Sequence, residues 1–357
     1  MRLVTIQPRT GGEVAAHDHQ AAILLPGGRI LTIGALAEIA PSELPTEFGR
    51  ATLAELFELD PGFGQIRAAL ELASAGGIEA ASIEPASVRL AAPIPRPGKI
   101  VGVGYNYLEH VREQGRERPT RPVLFSMFAN AVVGDGDAIR KPTGTHALDL
   151  EAELAVVIGR RASRVPADRA LDYVAGYTAA NDVTARDWQG QARALRPGEQ
   201  GDGQWLRAKG SDTFLPLGPC LVTADELGDG RGLAVRSWLT ARPEATGPEA
   251  TGPEAMRLEA ASPFPMQNGN SADLMFGVAE LIALISAEVT LDPGDVIVTG
   301  TPSGGGVFRE PPVFLEPGDL VRVEVERIGS LTSPVADADG RVPAGSPAAR
   351  FLAEASG

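Results

Sequence analysis

D-L-E-A-E-L-A-V-V-I-G, residues 149–159, is the stretch on which the fold turns. Its second half is an unbroken apolar run, as a strand buried on both faces requires. Glu151 and Glu153 stand at its entrance, two apart. A period of two turns both side chains to one face. Two carboxylates beside a core are costly unless a cation neutralises them. The plainer alternative is that both point to solvent at a strand end.

Downstream, D-Y-V-A-G-Y-T-A-A-N-D at 172–182 reads as a second apolar strand, ending at Asn181 and Asp182. Asp182, Arg186 and Gln189 then fall at i, i+4 and i+7, one face of a helix. An acid, a guanidinium and an amide at a strand's end suit a site for a metal and a bound carboxylate. Oxygen ligands without Cys or His fit Mg²⁺ or Mn²⁺ and do not fit zinc. Upstream, residues 99–107 begin as a strand and residues 107–115, Y-L-E-H-V-R-E-Q-G, are helical. His110 and Glu113 share a helix face there. A carboxylate on one imidazole nitrogen fixes the tautomer and raises basicity, although such a pair alone is most often a surface salt bridge. Lys209 sits in W-L-R-A-K-G-S-D-T. Only three of 32 basic residues are Lys, so a Lys in this Arg-rich chain is mildly informative. Residues 271–288 read as an amphipathic helix with Ser271 as N-cap. L-D-P-G-D at 291–295 and L-E-P-G-D at 315–319 each place Pro-Gly in a tight turn before a strand.

The first section divides differently. Residues 21–33 give two strands around Pro-Gly-Gly. Residues 52–75 have helical spacing broken by D-P-G-F-G. The stiff A-P-I-P-R-P-G at 92–98 marks a boundary. The expected domains are 1–95, 96–335 and a tail, 336–357. Residues 241–256 hold a near-tandem G-P-E-A-T unit, expected to be a flexible exposed insertion without a catalytic role. His17 and His19 are expected in a solvated hairpin loop and not on a metal.

The chain has 357 residues, 43% of them hydrophobic, and a net charge of -14. A core is affordable by composition, and the acidic balance argues against nucleic acid or an anionic membrane surface as partner. One cysteine, Cys220, excludes a disulfide framework. No apolar run reaches membrane-span length, and the first residues do not read as a secretory signal. The expected location is cytoplasmic. Several patterns fail on inspection. G-V-G-Y-N-Y at 102–107 lacks the third Gly of a dinucleotide fingerprint. G-T-P-S-G-G-G at 300–306 lacks a phosphate loop's Lys. No Gly-x-Ser-x-Gly elbow occurs. Cys220, in L-G-P-C-L-V-T, reads as a buried thiol.

Five segments in order, G-Y-N-Y-x-x-H-x-x-E, D-L-E-A-E-L-A-V-V-I-G, Y-T-A-A-N-D-V-T-A-R-D-x-Q, A-K-G-S-D-T-F-x-P-L-G-P and P-G-D-V-I-V-T-G-T-P, resemble the fumarylacetoacetate hydrolase family over about residues 99–330. The resemblance implies an α+β fold: a mixed β-roll catalytic domain with a smaller N-terminal α/β domain, as a homodimer. It implies one Mg²⁺ or Mn²⁺ on Glu151, Glu153 and Asp182. Arg186, Gln189 and Lys209 would contact the substrate's oxo or enolate oxygens. His110 with Glu113 would activate water, Thr301 would bind the substrate carboxylate, and Tyr107 would line the pocket. The activity expected first is hydrolysis of a carbon–carbon bond in a 2,4-dioxo acid through a metal-stabilised enolate. The alternative is a lyase, hydratase or tautomerase on a 2-oxo acid such as oxaloacetate, or a specialised-pathway enzyme on a larger substrate, with a silent binding protein the least expected. Three departures stand out: Met127 where many members carry Lys, the insertion, and Gly305 where Val is common. The first removes a positive charge expected near the pocket.

Overall fold

A computed structural model describes residues 1–8, 19–242 and 262–356. His17 and most of the G-P-E-A-T segment lie outside these residues. His19, which is described, sets its ring nitrogen 3.2 Å from the Gln7 side chain.

The first half of the chain supplies strands β1 (Arg2–Pro8), β2 (Gln20–Leu24), β3 (Ile30–Thr32), β4 (Val88–Ala91), β5 (Ile100–Gly104), β6 (Val123–Met127), β7 (Val132–Val133), β8 (Ile139–Arg140), β9 (Leu148–Asp149) and β10 (Ala152–Ile158). The second half supplies β11 (Val174–Asn181), β12 (Thr184–Ala185), β13 (Leu215–Thr223), β14 (Ala234–Thr240), β15 (Phe264–Asn270), β16 (Val296–Val298), β17 (Leu320–Val325) and β18 (Gly329–Ala336). The main sheet runs β3-β2-β1-β13-β11-β10-β16-β5-β6, with β4 and β7 paired off it, and a smaller sheet runs β15-β14-β17-β18-β8.

β10 shows why its sequence is apolar throughout. Leu154, Val156 and Ile158 enter one core, shared with Val235 of β14 and Val321 and Val323 of β17. Ala155 and Val157 enter another, shared with helices α1 (Ile33–Ile39), α2 (Leu53–Leu59) and α3 (Gly64–Leu72) through Leu36, Leu56, Phe57 and Ile66; α4 (Ala75–Ala81) follows in the chain. The strand is covered on both faces, so every residue is buried and the alternation of a half-exposed strand is absent. Capping supports the expected helical stretch: Thr52 and Glu55 form a capping box at the start of α2.

The first section is joined to the rest more closely than a boundary at 92–98 suggests. β1 pairs antiparallel with β13, Arg2 against Val222, so β1–β3 extend the main sheet and α1–α3 cover one of its faces. The C-terminal tail ends in a helix, Pro347–Ser356, with Ala348 fully buried. Ser271 does not cap the long helix, which is Val278–Glu288 with Gly277 at its N-cap. The Ser271 hydroxyl instead donates to the Gly230 carbonyl and accepts from Leu233 N, a tie between loops invisible to a local motif.

Candidate active site

Strand register builds the site. Ala152 pairs with Asn181, so the start of β10 lies beside the end of β11, and Asp182 N bonds to the Glu151 carbonyl at 2.9 Å. β16 runs antiparallel to β10, which carries Thr299–Thr301 past Leu154–Ala152. β5 lies parallel to β16 and delivers Tyr105 and the helix α5 (Leu108–Glu113) to the same end of the sheet. The three acidic residues converge there. Glu151, Glu153 and Asp182 each place one carboxylate oxygen within 4.8 Å of the others, and all are buried.

Their surroundings hold the charge. Lys209, on helix α7 (Trp205–Lys209), donates to Glu151 Oε2 at 2.7 Å, to Asp182 Oδ2, and to Thr184 Oγ1 at 2.9 Å. Arg186 donates through Nη2 to Glu151 Oε1 at 2.6 Å, through Nε to Asp149 Oδ2 at 2.8 Å, and through Nη1 to Gln189 Oε1 at 3.2 Å. Burial pushes the Glu151 carboxyl up, but Arg186 and Lys209 outweigh it and hold the group down to about 2. Burial and the neighbouring Asp182 and Glu151 carboxylates keep Glu153 well above the usual range. Burial raises Asp182 to about 6 against the pull of Lys209. Two cations therefore do not balance the cluster. Asp182 Oδ1 is buried and has no hydrogen-bond partner among the described residues. An orphaned carboxylate oxygen in a cluster short of positive charge is what a hard cation with oxygen ligands fits.

His110 Nδ1 lies 2.6 Å from Glu113 Oε1, and Glu113 Oε2 accepts from Gly304 N at 3.1 Å. The pair is thus anchored in the site and is not an exposed surface bridge. His110 is 5% exposed and meets the Phe308 ring edge-on. His110, Arg186, Gln189, Lys209, Thr301 and the triad all face one cleft.

Four expectations change. Asp182, Arg186 and Gln189 do not share a helix face. The helix α6 begins only at Arg186 and spans Arg186–Gln189, because Thr184–Ala185 pair instead with Leu148–Asp149. A bend brings the three together. Tyr107 is 2% exposed, with its hydroxyl buried and unpartnered among the described residues, and it does not face the cleft. Tyr105 does, because its left-handed backbone (φ 56°) reverses the strand alternation. The Thr301 hydroxyl is engaged, donating to the Ala152 carbonyl at 2.9 Å and accepting from Gln267 Nε2 at 2.6 Å. Met127 belongs to a hydrophobic core and does not line the cleft, so its exchange for Lys alters the core beneath β6.

Two organising residues carry no local signal of their role. Asp149 is 1% exposed and accepts from Leu150 N, Gly306 N and Val307 N as well as Arg186. Gln267 accepts from Ala152 N and Ser237 Oγ while donating to Thr301 and the Pro302 carbonyl. Asp149 stands in the D-L-E-A-E segment and is legible there as a third nearby acid.

Residues 99–336 match the family model of the fumarylacetoacetate hydrolase C-terminal domain. The chain belongs to the fumarylacetoacetate hydrolase family and is an enzyme of that family. It is 41% identical over 249 residues to the mitochondrial oxaloacetate tautomerase fahd2 of Xenopus laevis, covering 70% of this chain and 69% of the relative. Against human mitochondrial oxaloacetate tautomerase FAHD2A it is 41% identical over 248 residues, with the same coverage. A 5-carboxymethyl-2-hydroxymuconate delta-isomerase from Mycobacterium smegmatis superposes with a TM-score of 0.63 at 30% identity, over 94% of this chain and 99% of that one. A maleylpyruvate hydrolase from Sphingobium sp. SYK-6 gives 0.65 at 26%, over 94% and 100%. Both relatives are named as tautomerases, the activity given above as the alternative. They also carry a mitochondrial designation, where cytoplasm was expected for this chain. Among the described residues no helix is long and apolar enough to cross a membrane.

Proposed function

We propose that this protein is a keto–enol tautomerase of 2-oxo acids, working with Mg²⁺ or Mn²⁺ held by Glu151, Glu153 and Asp182. The observation that carries the reading is the buried carboxylate triad with its orphaned Asp182 oxygen, set in the same cleft as an anchored His–Glu pair. When bound, the divalent ion supplies Lewis-acid polarisation of the 2-oxo group. The remaining work falls to the chain. With Nδ1–H donated to Glu113, His110 keeps Nε2 free to take a proton from C3 of the keto acid and pass it to solvent, while solvent protonates the enolate oxygen; in the reverse direction the same nitrogen delivers a proton to C3. Lys209 spends its three N–H donors on Glu151, Asp182 and Thr184, so it acts as a fixed positive charge beside the developing enolate and not as a donor to substrate. The Gln189 carbonyl is taken by Arg186, which leaves its amide nitrogen to orient the substrate. Because the Thr301 hydroxyl is engaged on both sides, the Arg186–Gln189 pair is the better assigned carboxylate contact.

Hydrolysis of a 2,4-dioxo acid is the second reading, favoured by the same His110–Glu113 pair if it activates water. The two separate in one assay. Purified protein with Mg²⁺ or Mn²⁺ is given enol oxaloacetate, followed by ultraviolet absorbance, and separately an acylpyruvate. Accelerated ketonisation without acylpyruvate cleavage supports the tautomerase. Cleavage without ketonisation refutes it.

A further inference from the structure

We propose that the distal half of this cleft is shaped for a flat apolar group, so that this chain prefers 2-oxo acids carrying an aromatic ring on C3 to 2-oxo diacids. The chemistry rests on the tautomerase reading; the binding preference does not. The cleft is lined by the triad, Arg186 and Lys209 and also by Val103, Tyr105, Phe125 and Trp205, the two sets meeting where the Lys209 ammonium lies 5.1 Å from the Phe125 ring centroid. Trp205 meets Tyr105 at 5.9 Å between ring centroids, inclined 66°, and Phe125 at 5.4 Å, inclined 57°. Rings inclined to one another in this way pair favourably with a further aromatic group.

The wall is made possible by bare backbone. A Cβ at Gly102 would lie 2.1 Å from the Phe125 ring, and one at Gly104 would lie 3.2 Å from Trp205. Both rings therefore settle where any side chain on β5 would displace or crowd them. Tyr105 is turned to the cleft by a left-handed backbone that residues of its bulk rarely adopt. All three rings remain half-buried, with surface left for a ligand.

Charge points the same way. A diacid needs a second cation at the distal end. Lys209 has its three donors on protein oxygens, and Arg186 with Gln189 is already assigned to the first carboxylate, the one on C1. Among the described residues no Lys or Arg besides these two lines the cleft. Arg116 stands outside it, its guanidinium 4.9 Å from the Tyr105 ring centroid. A carboxylate pressed on aromatic faces meets the negative side of their quadrupoles.

Calorimetry on the Mg²⁺-loaded protein tests this with phenylpyruvate and 2-oxoglutarate, alongside tautomerisation of phenylpyruvate and oxaloacetate. Phenylpyruvate is expected to bind at least tenfold more tightly than 2-oxoglutarate. Trp205→Leu should abolish that preference, Trp205→Phe should keep most of it, and Arg116→Gln should change neither affinity more than about twofold. Tighter binding of 2-oxoglutarate, lost in Arg116→Gln, would show a distal carboxylate site and overturn the inference. So would equal affinities unaffected at Trp205. If phenylpyruvate is preferred but not tautomerised, the distal site stands and the tautomerase reading falls. If both acids tautomerise with equal efficiency and Trp205→Leu is neutral, the reading stands and the distal site falls.

Discussion

Asp149→Asn tests the claim that one buried carboxylate holds the site's loop and its guanidinium together. Asp149 Oδ1 accepts from Leu150 N and Gly306 N, both at 2.8 Å; Oδ2 accepts from Arg186 Nε at 2.8 Å and Val307 N at 3.2 Å. Asparagine keeps one oxygen. Its amide nitrogen, placed at the other position, faces two donors and can accept from neither. The substitution also removes one of the two carboxylates paired with a guanidinium that is 2% exposed. Hydrogen bonds to charged groups contribute about 1.5–3 kcal/mol each, and breaking a buried pair costs about 3–5 kcal/mol. These overlap, so the expected loss is about 3–5 kcal/mol in urea unfolding. Asp292→Asn is the control. Asp292 pairs with Lys99 and Arg161 at the surface, 41% exposed, and should lose no more than about 1 kcal/mol. A loss below about 1 kcal/mol for Asp149→Asn, equal to the control, would refute the reasoning.

Further outcomes follow from single contacts. Gly304 has φ +102° and a Cβ there would lie 2.5 Å from the Met266 carbonyl, so Gly304→Ala should cost about 1–3 kcal/mol and, by moving the N–H that holds Glu113, should lower kcat in steady-state assays. Lys209→Met leaves Glu151 and Asp182 without their shared cation; thermal unfolding should show a lower midpoint for the metal-free variant, and added Mn²⁺ should recover more stability in the variant than in wild type. Burial pushes the Cys220 thiol from 9.0 up to about 11. The folded state then keeps a proton that the unfolded state loses, so this group's contribution to stability falls as pH rises above 9. Native Cys220 should resist iodoacetamide at pH 8 and react once the chain is denatured, as mass spectrometry would record.

The acidic triad was legible because its signal is local. Glu151 and Glu153 are two apart at the head of an apolar strand, and Asp182 closes the next one. The His110–Glu113 pair was legible for the same reason, through helical spacing. What escaped depends on long-range placement. Asp149 and Gln267 act through partners up to 158 residues away, such as Val307 for Asp149. The exchange of Tyr107 for Tyr105 in the cleft turns on one left-handed residue, and nothing in G-Y-N-Y marks which Tyr adopts it. The helix expected through Asp182, Arg186 and Gln189 failed because β12 captures Thr184 and Ala185 first, against β9. The boundary expected at 92–98 rests on a change of sequence texture, and strand pairing between β1 and β13 crosses it.

The account depends most on the triad gripping a divalent ion, and binding can be measured without any substrate. Titration of the metal-free protein with Mn²⁺ by calorimetry should show one ion per chain, with Glu153→Gln and Asp182→Asn each weakening it at least a hundredfold. Both variants should stay folded by circular dichroism. No binding to the wild type, or binding that is unchanged in both variants, would contradict the central claim.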